Sequence, residues 1–374
     1  MSYRPTACPD CLRRARLLAH LAPYIEKRLA HSAKGRLATQ LLSLANEDLV
    51  AAVVPEAGAQ LLAQVAAVSE DELRTELAES SYWCCCRHDP QFPVALRETP
   101  GAPWALFGGG DPLLLARLCT DGAVAIVGSR RASSYGREVA RTLGRDLAHA
   151  GLAVVSGLAF GIDACAHRGA LDAGTTVAVL GCGVDVPYPA SHRSLWRRIC
   201  EDGLVISELP LGSAPWRWTF PARNRIVAAL AGMTIVVEAA ERSGSLVTAN
   251  LAADLGRDLG AVPGPVNSRG SAGTNALLAG GACLIREAQD ALDAMLGAGV
   301  RRARPTGPQL NRDQRAVLAS LNNGAQSVEE IASDADLPRE EARRGLESLS
   351  ALGYVDVHST FRYSPSGLEP PAAG

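Results

Sequence analysis

The chain has 374 residues, 47% of them hydrophobic and 20% charged, with 37 basic against 39 acidic side chains and a formal net charge of -2. That balance excludes a histone-like protein coated in positive charge, and the apolar content excludes a disordered chain. The length predicts roughly two to three domains at about 150 residues each. All but two of the basic residues, Lys27 and Lys34, are arginine. A GC-rich genome accounts for the bulk bias, but arginine also grips phosphate in a planar fork, so local placement matters more than the total. No signal-peptide pattern opens the sequence and no run of about 18 apolar residues occurs, so the expectation is a cytoplasmic chain without a membrane span.

From Leu12 to Leu77 apolar residues recur at helical spacing, with breaks expected at Pro23, Gly35 and Pro55 to Gly58. Residues 1–80 are read as a small helical domain of the SAM or helix-hairpin-helix kind. Cys8 and Cys11 have CxxC spacing, yet a structural zinc site needs four ligands and no second CxxC or HxxxH follows. Cys84, Cys85 and Cys86, with His88 close by, can in principle complete one. The expectation carried forward is reduced thiols, with no metal and no cofactor. Gly101 to Gly110, with three consecutive glycines, reads as a linker or turn.

Beyond it, short β-rich runs at Val124–Val127, Ala153–Val155, Val177–Leu180, Val205–Ser207, Thr234–Glu238 and Leu259–Val262 alternate with segments long enough for helices. The prediction is an α/β fold over residues 81–296, a doubly wound, mostly parallel Rossmann-like sheet. Its ligand site would be assembled from loops at one edge. Residues 297–309 read as a linker. Over 310–363, helices at Arg312–Leu321, after a Ser327/Glu330 capping box, and from Pro338 to about Leu352 precede extended pieces at Tyr354–Val357 and Phe361–Tyr363, a winged-helix pattern. The tail 364–374 is expected to be disordered.

Candidate site residues follow the strand ends. Gly128-Ser129-Arg130, before Ser133 and Gly136, offers backbone N–H groups and one guanidinium to an anion, although it matches neither a Walker A loop nor GxGxxG. Ser156-Gly157 to Gly161-Ile162-Asp163 makes a second glycine-framed turn, with Asp163 suited to a cap and His167 one helical turn further on. An Asp163–His167 catalytic pair is conceivable, but a structural role is favoured. Nothing specific supports Cys182 as a nucleophile. Arg217-Trp218-Thr219-Phe220-Pro221-Ala222-Arg223-Asn224-Arg225 combines aromatics with arginines, as expected for stacking on unpaired bases while holding phosphates. Ser243-Gly244-Ser245, Gly264 and Thr274-Asn275 add hydroxyls and N–H groups at further turns.

In this order GSR, SGLAFGID, AH, GCGVDVPYP, SELP, FPARNRI, VVEA, RSGSLVTA, AVPG and GTNALLAGGA resemble the DNA processing protein A (DprA/Smf) family over Val124 to Ile285, and Asp89 to Phe107 resembles the segment entering that domain. The resemblance implies an extended Rossmann-like domain that binds single-stranded DNA, protects it, and loads the RecA recombinase in natural transformation and related recombination. It also implies a homodimer formed through this domain and no enzymatic activity. It places Gly128, Ser129 and Arg130 at the phosphate-gripping turn, Ser156, Gly157 and Gly161 at the second turn, and Phe220 with Arg223, Asn224 and Arg225 at the DNA. Arg217 stands where some relatives have another basic residue. The alternative class is a nucleotide hydrolase using Asp163, Glu208 or Glu238. A third reading is a RecA adaptor with incidental DNA affinity. Residues 121–290 hold 16 arginines against 15 acids, and residues 300–374 hold 9 against 10. A winged helix that reads duplex DNA is usually basic, so this one is expected to serve mainly as a protein contact or a weak DNA contact.

Overall fold

The computed structural model describes residues 6–30, 34–120, 122–298, 307–323, 325, 327–357, 363–365 and 370. It divides into two compact units, residues 1–300 and 301–374. In the first, nine strands form one sheet: β1 (Trp83–Cys86), β2 (Ala105–Gly110), β3 (Ala123–Val127), β4 (Ala153–Ser156), β5 (Thr176–Leu180), β6 (Leu204–Ser207), β7 (Met233–Val236), β8 (Asp258–Ala261) and β9 (Cys283–Leu284). Their spatial order is β1-β2-β6-β5-β4-β3-β7-β8-β9. From β6 to β9 in that order the strands are parallel, and β2 runs antiparallel to both β6 and β1.

The central strands are continuous apolar runs because both faces are covered, as a parallel sheet requires. Val124, Ile126, Val154 and Ile235 point to one face, packed with Leu143, Leu147 and Ile162 of the helices Ser134–His149 and Ile162–Leu171. Ala125, Val127, Val155 and Val236 point to the other, against Ile226, Val227 and Leu230 of the helix Thr219–Leu230. The order of strands reverses at β3: β4, β5 and β6 follow on one side, β7 and β8 on the other. This is the position where open α/β sheets leave a crevice beyond their carboxyl ends.

Three sequence expectations change here. The glycine run before residue 110 is strand β2, not a linker. A Cβ on Gly108 would lie 2.1 Å from the Trp83 ring, and one on Gly110, where φ is +103°, would lie 2.4 Å from the Gly203 carbonyl. The strand therefore needs glycine for close approach, which hides it from a propensity reading. Pro23 does not break its helix, which runs from Pro9 to Arg28; a buried stripe including Leu18, Leu21, Ala22 and Ile25 outweighs one lost hydrogen bond. The N-terminal helices share their core with the sheet unit: Cys11, Leu12 and Ala15 pack with Phe107 and Leu180, and Leu21 and Ile25 lie in one cluster with Leu209 and Trp218. Among the described residues, no helix is long and apolar enough to cross a membrane.

In the second unit, helices Arg312–Asn322, Val328–Asp334 and Arg339–Ala351 are followed by β10 (Val355–Val357) and β11 (Tyr363–Pro365), paired antiparallel. The Ser327/Glu330 capping box is formed, and a second joins Asn311 to Gln314. Ser364 and Pro365, read as the start of a disordered tail, pair with Asp356 and Val355. The remainder of that tail other than Pro370, the expected extended residues Phe361 and Arg362, and most of the linker 297–309 lie outside the described residues.

Candidate nucleic-acid interface

A cleft of about 420 Å³ opens at the reversal point. It is lined by Gly128, Ser129 and Arg130 beyond β3, Gly157 beyond β4, Phe220, Arg223 and Asn224 from the first turns of Thr219–Leu230, and Ser243, Gly244 and Ser245 at the start of the helix Ser245–Asp254. Ten of the seventeen residues proposed from the sequence thus converge from four separate segments.

The two glycine turns hold each other. The Ser129 carbonyl accepts the Ile162 N–H at 3.2 Å. Gly161 sits at φ +76°, and a Cβ there would stand 2.2 Å from the Ser129 carbonyl, so only glycine lets the turns meet. Asp163 accepts the N–H groups of Gly157 and Ala159 at 3.1 and 3.3 Å. Burial pushes its carboxyl up, against the opposing pull of Arg223 and these two donors. His167 is fully buried: Nε2 accepts the Leu158 N–H at 3.3 Å and Nδ1 faces the Thr176 hydroxyl at 2.7 Å. Because that hydroxyl donates to the Val154 carbonyl, the proton on the ring resides on Nδ1. Burial and the nearby Arg223 lower its pKa to about 3. Asp163 and His167 therefore brace one turn separately and form no catalytic pair. Leu158, at φ +56°, is held at both ends, by His167 at its N–H and by His192 at its carbonyl.

At the mouth, exposed Arg130 places its guanidinium carbon 5.7 Å from the centre of the Phe220 ring, and the ring of Tyr188 lies 5.2 Å from that of Phe220. Arg131 also lines the cleft and was not singled out from the sequence, although it follows Arg130 directly. Thr248 joins the lining one turn into its helix.

The arginines of the FPARNR segment differ from one another. Arg223 lies at the floor, bonded to the Val179 carbonyl and packed against Gly157; burial lowers its pKa to about 10, so it stays a cation at neutral pH. Arg225 is not at the cleft. Its side chain is 1% exposed and donates to the carbonyls of Gly101 and Ala222 at 2.8 and 3.0 Å and to Glu208 at 2.5 Å. A helix step of two residues turns it to the opposite side from Arg223, into the interior. Trp218 is buried too, its Nε1 donating to the Ala22 carbonyl at 3.0 Å. Arg217 is exposed and does not line the cleft, and Ser156 is buried with its hydroxyl on the Ile126 carbonyl. Gly264 borders a neighbouring cleft with Tyr135 and Ser271; Asn275 bonds both backbone groups of Gly264, and the buried Thr274 hydroxyl donates to Ser271.

The carboxylates considered for hydrolysis are engaged. Glu238 accepts the Ser133 N–H at 3.1 Å and its hydroxyl at 2.5 Å, fixing the start of Ser134–His149, and Glu208 holds Arg225. Cys182 donates to the Val186 carbonyl, and burial raises its thiol pKa to about 12, which disarms it as a nucleophile.

The family model described as DNA recombination-mediator protein A matches residues 83–296. The chain belongs to the DprA/Smf family. The Smf protein of Escherichia coli is 36% identical over 274 residues, 71% of this chain and 72% of that one. The putative DNA processing protein DprA of Mycobacterium tuberculosis is 43% identical over 241 residues, 63% of this chain but only 62% of that relative's length. Among solved structures, DprA from Streptococcus pneumoniae superposes with a TM-score of 0.61 at 33% identity, over 76% of this chain and 96% of that one. A Helicobacter pylori DprA, described for its single-stranded DNA binding mode, gives 0.52 at 33% identity over 59% and 97%. The matched segment of this DprA/Smf chain contains all nine strands of the sheet and the whole cleft.

Proposed function

We propose that this chain is a non-enzymatic single-stranded DNA-binding protein whose strand lies across the cleft at the sheet reversal. The observation that carries the reading is the pairing of exposed Arg130 with the half-buried Phe220 ring above two interlocked glycine turns. A guanidinium beside an aromatic face offers one phosphate contact and one base-stacking platform within a single nucleotide's reach. The hydroxyl-bearing residues Ser129, Ser243 and Ser245 also line the cleft and add polar contacts that no charge count records. Arg131, also exposed, lines the same cleft, and exposed Arg242 directly precedes its lining residue Ser243.

The engagement of Asp163, Glu208 and Glu238 in structural bonds favours this reading over the hydrolase. Family membership supports protection of the bound strand, its delivery to RecA, and a homodimer formed through the sheet unit. The second unit, read as a winged helix with nearly balanced charge, serves chiefly as a protein contact. Anisotropy titration with oligo-dT tests the core of the proposal: Arg130→Ala and Phe220→Ala each weaken binding by about tenfold, the loss of one phosphate or stacking contact. Unchanged titrations for both variants overturn it.

A further inference from the structure

The structure assigns a metal site to Cys8, Cys11, Cys86 and His88, and we propose that it holds a single structural zinc ion. One ligand atom from each residue lies within 4.8 Å of all the others. The Nδ1 of His88 stands 3.4 Å from the sulfur of Cys8, 3.5 Å from that of Cys11 and 3.9 Å from that of Cys86. With zinc–sulfur and zinc–nitrogen bonds of about 2.3 and 2.0–2.1 Å, a tetrahedron has sulfur-to-nitrogen edges of about 3.6 Å. The observed distances bracket that value.

Hydrogen bonding alone gives a poor account of the same geometry. Nδ1 has one lone pair and cannot accept from three thiols at once, whereas three sulfurs and one nitrogen around a common centre is the arrangement of a closed Cys3His site. A two-iron cluster would add a metal–metal distance between ligand pairs, and a set this tight fits one ion.

The ligands are brought together by backbone that needs no metal. Cys8 immediately precedes the helix Pro9–Arg28, Cys11 lies in its first turn, and Cys86 ends β1. The Cys86 N–H donates to the Thr6 carbonyl at 3.3 Å, and the Thr6 N–H donates to Asp89 at 3.2 Å. The Cys8 N–H points at the Cys86 sulfur at 3.5 Å, the bond a coordinated thiolate accepts. The helix N-terminus favours the negative charge of the thiolates. Strand alternation separates the neighbours: Cys85 packs into the opposite core from Cys84 and Cys86.

The ion would staple the start of Pro9–Arg28 to the sheet edge across nearly eighty residues of chain. Further along, the same helix receives Trp218, whose N–H bonds Glu26 and whose indole bonds Ala22, at the residue preceding the Phe220 helix. The staple therefore braces an element of the cleft without touching it.

The test uses the full chain without a histidine tag, kept reduced and dialysed against metal-free buffer. Mass spectrometry of metals should find about one zinc per chain, as a closed four-ligand site requires. Cobalt replacement should give the intense d–d and thiolate charge-transfer bands of a tetrahedral site. His88→Ala, a change at an exposed residue, should release zinc to a chromophoric chelator at least about tenfold faster. Cys11→Ser and Cys86→Ser should lower occupancy, and Cys283→Ser, at an exposed thiol outside the cluster, should leave it unchanged. Wild-type protein that shows no thiolate–cobalt bands after reconstitution overturns the proposal whatever the variants do, as does a Cys8–Cys11 disulfide that persists under the reducing conditions. Bands unaltered by His88→Ala in folded protein overturn the assignment of the fourth ligand.

Discussion

Arg225→Met separates a DNA contact from a structural ion pair within one motif. The wild-type guanidinium is buried, with donors on two carbonyls and on Glu208, whose side chain is 13% exposed. Methionine approximates the volume but leaves the Gly101 carbonyl and the Glu208 carboxylate without their donors. Breaking a buried pair from one side costs about 3–5 kcal/mol, and the slight exposure of Glu208 places the expected loss near the lower end, about 3 kcal/mol. In a unit of some 300 residues that lowers Tm by roughly 5 °C. Adding Glu208→Gln should recover part of the loss, because it removes the uncompensated charge. Urea melts followed by circular dichroism give the stability, and oligo-dT anisotropy at a temperature where every variant is folded gives the binding. Arg130→Ala should show the reverse pattern, a stability change within about 0.5 kcal/mol and a clear loss of affinity. Arg225→Met protein that melts like the wild type yet fails to bind DNA would refute the assignment of Arg225 to the interior.

Gly161→Ala should lose at least about 1–3 kcal/mol of stability, from a left-handed residue forced against a carbonyl, and should weaken DNA binding by parting the two turns; wild-type binding in a folded variant would contradict the interlock. His167 titrates near 6.5 when unfolded and about 3 when folded, so the unfolded state binds the extra proton between those values. Stability should therefore fall as pH drops below about 6.5, by up to about 1.4 kcal/mol per pH unit from this group, and His167→Gln should flatten the profile; identical profiles would show that the ring is not held neutral. A chain ending at residue 300 should bind oligo-dT within about threefold of the full chain, and a loss beyond about tenfold would place essential contacts in the second unit.

The strands legible in the sequence were the β-branched runs buried on both faces, whose periodicity and length survive without context. Those that were not legible lacked that signature: β2 ends in glycines required by Trp83 and Gly203, β1 is a run of cysteines, and β9 is two residues long. The site shows the same division. Turns at strand ends announce themselves through glycine and hydroxyl spacing, and Gly128, Gly157, Phe220 and Ser243 do converge. Burial is not written in a motif, however, so Arg225 and Arg223 look alike in FPARNR, while the partners that distinguish them, Gly101 and Val179, lie far away in the chain. Cys84, Cys85, Cys86 and His88 were visible as a possible complement to the CxxC at Cys8, but spacing does not say which of them face it; the fold brings Cys86 and His88 together with Cys8 and Cys11.

The most direct measurement is the affinity of the full chain for oligo-dT and for a duplex of equal length at two salt concentrations. The account predicts a preference for the single strand of at least about tenfold. It also predicts a shallow salt slope of about -2, from roughly three exposed arginines: Arg130 and Arg131, which line the cleft, and Arg242, which directly precedes its lining residue Ser243. Equal or tighter binding to duplex, or no binding to either, would contradict it.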